Sequence, residues 1–157
     1  MDTKKTQSEL LRAEFLEELS ITSRKLRTLF DARVRAHGLT LARARTLIHL
    51  SKKHVMTQTE LAVILEVEGP TLVRLLDGLE RQGLTERRPV EGDRRAKHIA
   101  LTEAGRRLAA EVTGLGNELR EEVLAEVSEA ELVSATRVFQ AIAQKIAAVA
   151  GYEPDAA

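Results

Sequence analysis

The chain has 157 residues, 43% of them apolar, with 24 Lys or Arg against 24 Asp or Glu and no Cys. That composition excludes disulfide staples, thiolate zinc sites and thiol redox sensing, and no apolar run nears the ~20 residues of a membrane span. Neutrality conceals an asymmetry: nine basic residues face six acidic ones between Arg74 and Arg107, and three face nine from Leu108 onward.

The N-terminus, MDTKKTQSELLRAEF, is charged and lacks the apolar core of a signal peptide, so a cytoplasmic protein is expected. From about Gln7 to Ala36 a stripe of Leu11, Phe15, Leu19, Leu26, Leu29 or Phe30, and Val34 keeps near-heptad spacing between charged flanks. Two readings fit this long helix: a core-facing helix, or one that packs on a second subunit. Its length without an obvious internal partner favours the second. Gly38 ends it.

Thr40 is placed to cap a helix from Leu41 to about Lys53, with Leu47, Ile48 and Leu50 as its apolar set. Thr57-Gln58-Thr59-Glu60 matches a capping box and starts a short helix to about Leu65. A tight turn over 66–69 leads to Gly69-Pro70, where Pro at the first helical position removes an N–H that has no partner anyway. Leu72, Leu75, Leu76 and Leu79 then make one apolar face, and Gly83 stops the helix. Two short helices joined by such a turn form a helix-turn-helix unit.

Extended runs are expected at Leu84 to Arg88 and Lys97 to Leu101, joined by the Arg-rich loop 89–96. A helix followed by a basic hairpin reads as a winged helix-turn-helix, and hence as a DNA-binding element. Local field, not total charge, governs attraction to phosphate, and the basic residues cluster here. Thr102 caps a long helix from Glu103 to about Val127, with Gly114 and Gly116 as possible points of bending. Ser128-Glu129-Ala130-Glu131 is a further capping box. The last helix carries Leu132, Ala135, Phe139, Ile142, Ile146 and Val149 in a narrow, coiled-coil-like seam.

The fold class is therefore mainly α with a small β-hairpin wing. It divides into a helix over 1–36, a winged helix-turn-helix lobe over 39–101, helices over 102–150 and a tail over 151–157. The apolar seams at both ends flank a lobe too small to bury them, and soluble monomers avoid large apolar patches. A symmetric dimer answers this, with Leu11, Phe15, Leu19, Leu132, Phe139, Ile142 and Ile146 at its interface. A two-fold pair also presents two reading helices to half-sites ~34 Å apart.

Within the lobe, Arg74 can donate two hydrogen bonds to a guanine or meet a phosphate, unless it pairs with an acidic neighbour. Thr71 and Leu72 lie near the same helix start and are read with it as DNA-facing; Thr71 could touch a phosphate or a thymine methyl, or instead help the cap. Gly69 and Thr71 leave backbone N–H groups free where phosphate is favoured. Arg87 and Arg88 alternate faces on a strand, so only one of them, taken as Arg87, is expected to reach DNA. His49 and His54 are loosely spaced for metal, and neither a metal nor another cofactor is expected. No Gly-rich phosphate loop, nucleophile elbow or metal triad is present, so the chain is not read as an enzyme. A winged-helix module that binds protein and never DNA is the alternative.

Gly-Pro-Thr-Leu-Val-Arg-Leu-Leu-Asp at 69–77, Leu79-Glu80 with Gly83-Leu84, Asp93-Arg94-Arg95-Ala96-Lys97 and Leu101-Thr102-Glu103 together resemble the MarR family of bacterial transcription regulators, in particular its SlyA-like branch. The resemblance spans nearly the whole chain. It implies an obligate dimer, a palindromic operator, and a small aromatic or anionic effector bound between the dimerisation region and the DNA-binding lobe. It implies also that Asp93 orients a wing Arg, that Arg94 or Arg95 enters the minor groove, and that Lys97 meets a phosphate. Two residues depart from the family pattern: Arg45 stands where relatives commonly have an apolar residue, and Ala44 where some have a large aromatic. An inward Arg needs a partner. Either Arg45 binds a carboxylate effector, with Arg43 or His37, or it pairs with an acidic residue of a neighbouring helix.

Overall fold

The computed structural model describes residues 6–90 and 93–151; of residues 90 and 93–96 only the backbone is described. Nine elements follow in order: α1 (Gln7–Ala36), α2 (Leu41–Lys53), β1 (Val55–Thr57), α3 (Gln58–Leu65), α4 (Gly69–Arg81), β2 (Thr85–Val90), β3 (Asp93–Leu101), α5 (Glu103–Val123) and α6 (Glu129–Ala150). They fall in two compact units, Met1–Leu119 and Arg120–Ala157. None of the described helices is long and apolar enough to cross a membrane.

Helix starts are set by side chains within four residues. Thr6 with Glu9, Thr57 with Glu60, and Ser128 with Glu131 form reciprocal capping boxes, each hydroxyl accepting from the third helical N–H. Thr40 caps α2 by accepting from the Arg43 N–H at 3.4 Å. The end of α4 is equally local. Gly83 takes φ +68, its N–H bonds the Glu80 carbonyl at 2.9 Å, and the Leu84 N–H bonds the Leu79 carbonyl at 3.0 Å. This pair of bonds satisfies carbonyls the helix leaves open.

In the first unit the sheet runs β1-β3-β2, all neighbours antiparallel. Strand β1 is not foreseen from the sequence: its three residues pair with His98, Ile99 and Ala100, far along the chain. The hairpin is also longer than expected, with a register irregularity at Pro89/Val90, and Leu84 lies outside it. The main core gathers Leu47, Leu50, Met56, Leu61, Leu65, Leu72, Leu76, Ile99, Leu101 and Ala109, drawn from α2, α3, α4, α5 and the sheet. A second cluster joins Val34, Leu39, Ala44 and Val112.

Helix α5 starts against the base of the wing. The Thr102 hydroxyl donates to the Gly83 carbonyl at 2.5 Å and accepts from the Gly105 N–H at 3.1 Å. Gly105 is there because a Cβ would strike the Leu84 carbonyl group. The helix passes through Gly114 and Gly116 without a break and ends at Val123, four residues before the expected Val127. In the second unit, α6 contains no buried residue.

Candidate nucleic-acid interface

Helices α3 and α4 meet through a turn held by Glu66, which adopts the left-handed region at φ 56. The turn receives a tie from α2. Arg45 donates from Nη2 to the Ile64 carbonyl at 2.9 Å. Ile64 lies in the last turn of α3, where carbonyls lack a helical partner and the helix dipole favours a cation. Among the described residues no acidic side chain pairs with Arg45; its half-buried guanidinium donates instead to a peptide oxygen, where the helix end supplies partial negative charge. Arg43 is turned toward α4, its Nη2 3.2 Å from where a Cβ on Gly78 would stand. His37, the third residue considered for an effector, is an exposed C-cap of α1.

Helix α4 divides sharply into two faces. Leu72, Leu76 and Leu79 are buried with Gly78, while Gly69, Pro70, Thr71, Val73, Arg74, Glu80 and Arg81 are exposed. Leu72, expected among the DNA-facing residues, is corrected: it is 1% exposed and belongs to the core. Thr71 and Gly69 are at the surface, at a helix start with no side-chain cap, so the first N–H groups are open to an anion. Arg74 is exposed and has no acidic partner among the described residues.

Strand β2 contributes two arginines with opposite fates, as the pleat requires. Arg87 stands across from Ile99 and turns toward α4, its Nη2 2.5 Å from an Asp77 carboxylate oxygen and its Nη1 on the Glu80 carboxylate. Its side chain is only 26% exposed, and the hydrogen bond to Asp77, opposed by burial, holds its pKa above the ordinary guanidinium value. Arg88 faces the other side and pairs with Glu86 at 2.5 Å. Arg87, expected as a DNA contact, instead ties β2 to α4. Lys97 is exposed on β3 opposite Pro89. The side chains of Asp93, Arg94 and Arg95 lie outside the described residues.

Val73, 42% exposed on α4, is a surface residue that sequence reasoning passed over. The signal was available: at 100° per residue it projects with Arg74 and Asp77, away from the leucines. Among the described residues no group of three His, Asp or Glu is placed to hold a metal ion. His49 is half-buried, and burial first, then Arg45, Lys52 and Lys53, lower its pKa.

Residues 37–96 match the model of the MarR family. The chain is similar to the crystal structure of transcriptional regulator PA3341, at 42% identity and a TM-score of 0.78, over 84% of this chain and 97% of that one. It is similar to S. aureus MepR in a DNA-binding conformation, at 25% identity and a TM-score of 0.73, over 84% and 98% of the two chains. A MarR family regulator from Listeria monocytogenes, complexed with a 26mer DNA, shares the fold at 18% identity and a TM-score of 0.74, over 90% and 97%.

Proposed function

Because the chain belongs to the MarR family of transcription regulators, we propose that it binds palindromic duplex DNA as a homodimer, each copy laying α4 in a major groove and the β2–β3 wing in the next minor groove. The observation that carries this reading is the outward face of α4. It combines open N–H groups at its start, an Arg74 without an acidic partner among the described residues, and a wing strand braced against it by Arg87.

Roles follow from position. Gly69 and Thr71 meet phosphate at the helix start, Arg74 meets a guanine, and Lys97 meets phosphate beside the wing. Arg94 or Arg95 enters the minor groove, where narrow A·T-rich segments have enhanced negative potential, and Asp93 orients it. Arg87 acts as a strut. It also neutralises one of two carboxylates that would otherwise repel the DNA backbone. The dimer forms through α1 and α6, which leave Leu11, Leu26, Ile146 and Val149 exposed in the single chain.

A small anionic effector is part of the proposal. An open groove in the first unit, lined by Arg27, Thr28, Asp31, Arg35, Thr40 and Leu41, offers it basic and hydroxyl groups. Arg45 donates to the Ile64 carbonyl and Arg35 of the groove pairs with Asp31, so Arg27 and the hydroxyls of Thr28 and Thr40 are the groups placed to meet the effector.

Selection of bound duplexes from a random pool tests the reading. A spaced inverted repeat with an A·T-rich flank is the expected outcome. Recovery of no sequence above background, with the protein folded, favours the protein-binding module instead.

A further inference from the structure

We propose that Val73 reads the C5 methyl group of a thymine beside the base pair met by Arg74. The proposal rests on the assignment of α4 to the major groove. Pro70, Arg74, Asp77 and Arg81 follow one another at three- and four-residue spacing on the face opposite Leu72, Leu76 and Leu79, and Val73, three residues after Pro70 and four before Asp77, flanks that face. Val73 is 42% exposed and is absent from both core clusters.

In the free protein this valine serves no visible purpose. Its branched Cβ loses rotamer freedom in a helix, where Ala or Lys would be tolerated better. At 42% exposure its side chain is only partly covered, and it is not one of the residues packed against either core cluster. A residue that breaks local preference on a surface meant for a ligand points to that ligand. A major groove offers an isopropyl group one complementary partner on the base edges, the thymine methyl.

The neighbours narrow the site further. Asp77 could accept from a cytosine amino group, but its carboxylate is held by Arg87. Arg74, adjacent in sequence and exposed, has its donors available for the O6 and N7 of guanine. The half-site therefore contains a thymine within a step or two of a guanine. Both are read from one turn of α4.

The experiment uses the full chain and its selected duplex, with each thymine replaced singly by deoxyuridine, which lacks only the methyl. Wild type should lose about fourfold in affinity at one thymine per half-site, the equivalent of ~0.8 kcal/mol for one buried methyl-sized group. Val73→Ala should bind thymine and uracil duplexes equally, at the level of wild type on uracil. The variant replaces an exposed residue by a better helix former, so it should fold, and circular dichroism verifies that. If no thymine is sensitive, or if sensitivity persists in Val73→Ala, the proposal is overturned while selection of a site still upholds DNA binding. If no duplex is selected at all, both fall together.

Discussion

Helices α4 and α6 are both amphipathic, yet they end in opposite states. Three leucines of α4 are buried, two of them, Leu72 and Leu76, in a core shared with α2, α3, α5 and the sheet. In α6 no residue is buried, and Ile146 and Val149 remain 62% and 76% exposed. Apolar periodicity says that a face should leave water; it does not say which surface takes it in. For α4 the partner lies in the same chain. For α6 the proposed dimer supplies it from a second copy, since exposed apolar seams are a liability in a monomer.

The contrast can be broken first at the wing base. Gly105→Ala drives a Cβ into the Leu84 carbonyl, and backbone on both sides cannot step aside as a side chain would. A loss on the order of 3 kcal/mol is expected in denaturant unfolding. A variant as stable as wild type would show that α5 and the hairpin are less tightly joined than described.

Charge on α6 should act in the other way. Ile146→Glu leaves the burial of α4 untouched, since Ile146 is exposed in the single chain. Association should weaken by about 30-fold or more, corresponding to ~2 kcal/mol for a central interface residue. Sedimentation across a concentration series measures it; an unchanged dimer would remove α6 from the interface.

Arg87→Met sharpens the account of α4. Its carboxylate partners are 48% and 41% exposed, so solvent screening limits the stability loss to ~1 kcal/mol or less. Affinity for the selected site should fall with the salt dependence unchanged. A slope lower by about one would instead make Arg87 a phosphate contact.

The smallest effect concerns pH. Burial and nearby cations place the folded pKa of His49 below its unfolded value, so the unfolded state takes up the proton first as pH drops. The stabilising contribution is complete above pH ~6.5 and is lost as pH falls toward the folded pKa. His49→Gln should flatten that part of the stability profile. The capping carboxylate of Glu60, whose pKa is lowered chiefly by the Thr57 backbone N–H, acts separately, below the usual carboxylate range.

Much of this architecture can be read without coordinates. The starts of α2, α3 and α6 and the Gly83 stop depend on groups a few residues apart, and so on the order of residues alone. Less could be read of the interface. The outward projection of Arg74 follows from helical spacing, whereas the burial of Leu72 against the core had to be weighed against its place near the helix start. Strand β1 escaped because three residues carry too little pattern, and their pairing partners lie more than forty positions away.

The division has one physical cause. Capping, helical periodicity and turn chemistry act within about one turn of chain, so the sequence alone determined the helix register, the winged helix-turn-helix order and the two-faced character of α4. Which group satisfies which charge is decided by distance in space. Only the tertiary structure could therefore turn Arg45 to the end of α3, spend Arg87 on Asp77 and Glu80, and leave Arg74 without an acidic partner among the described residues.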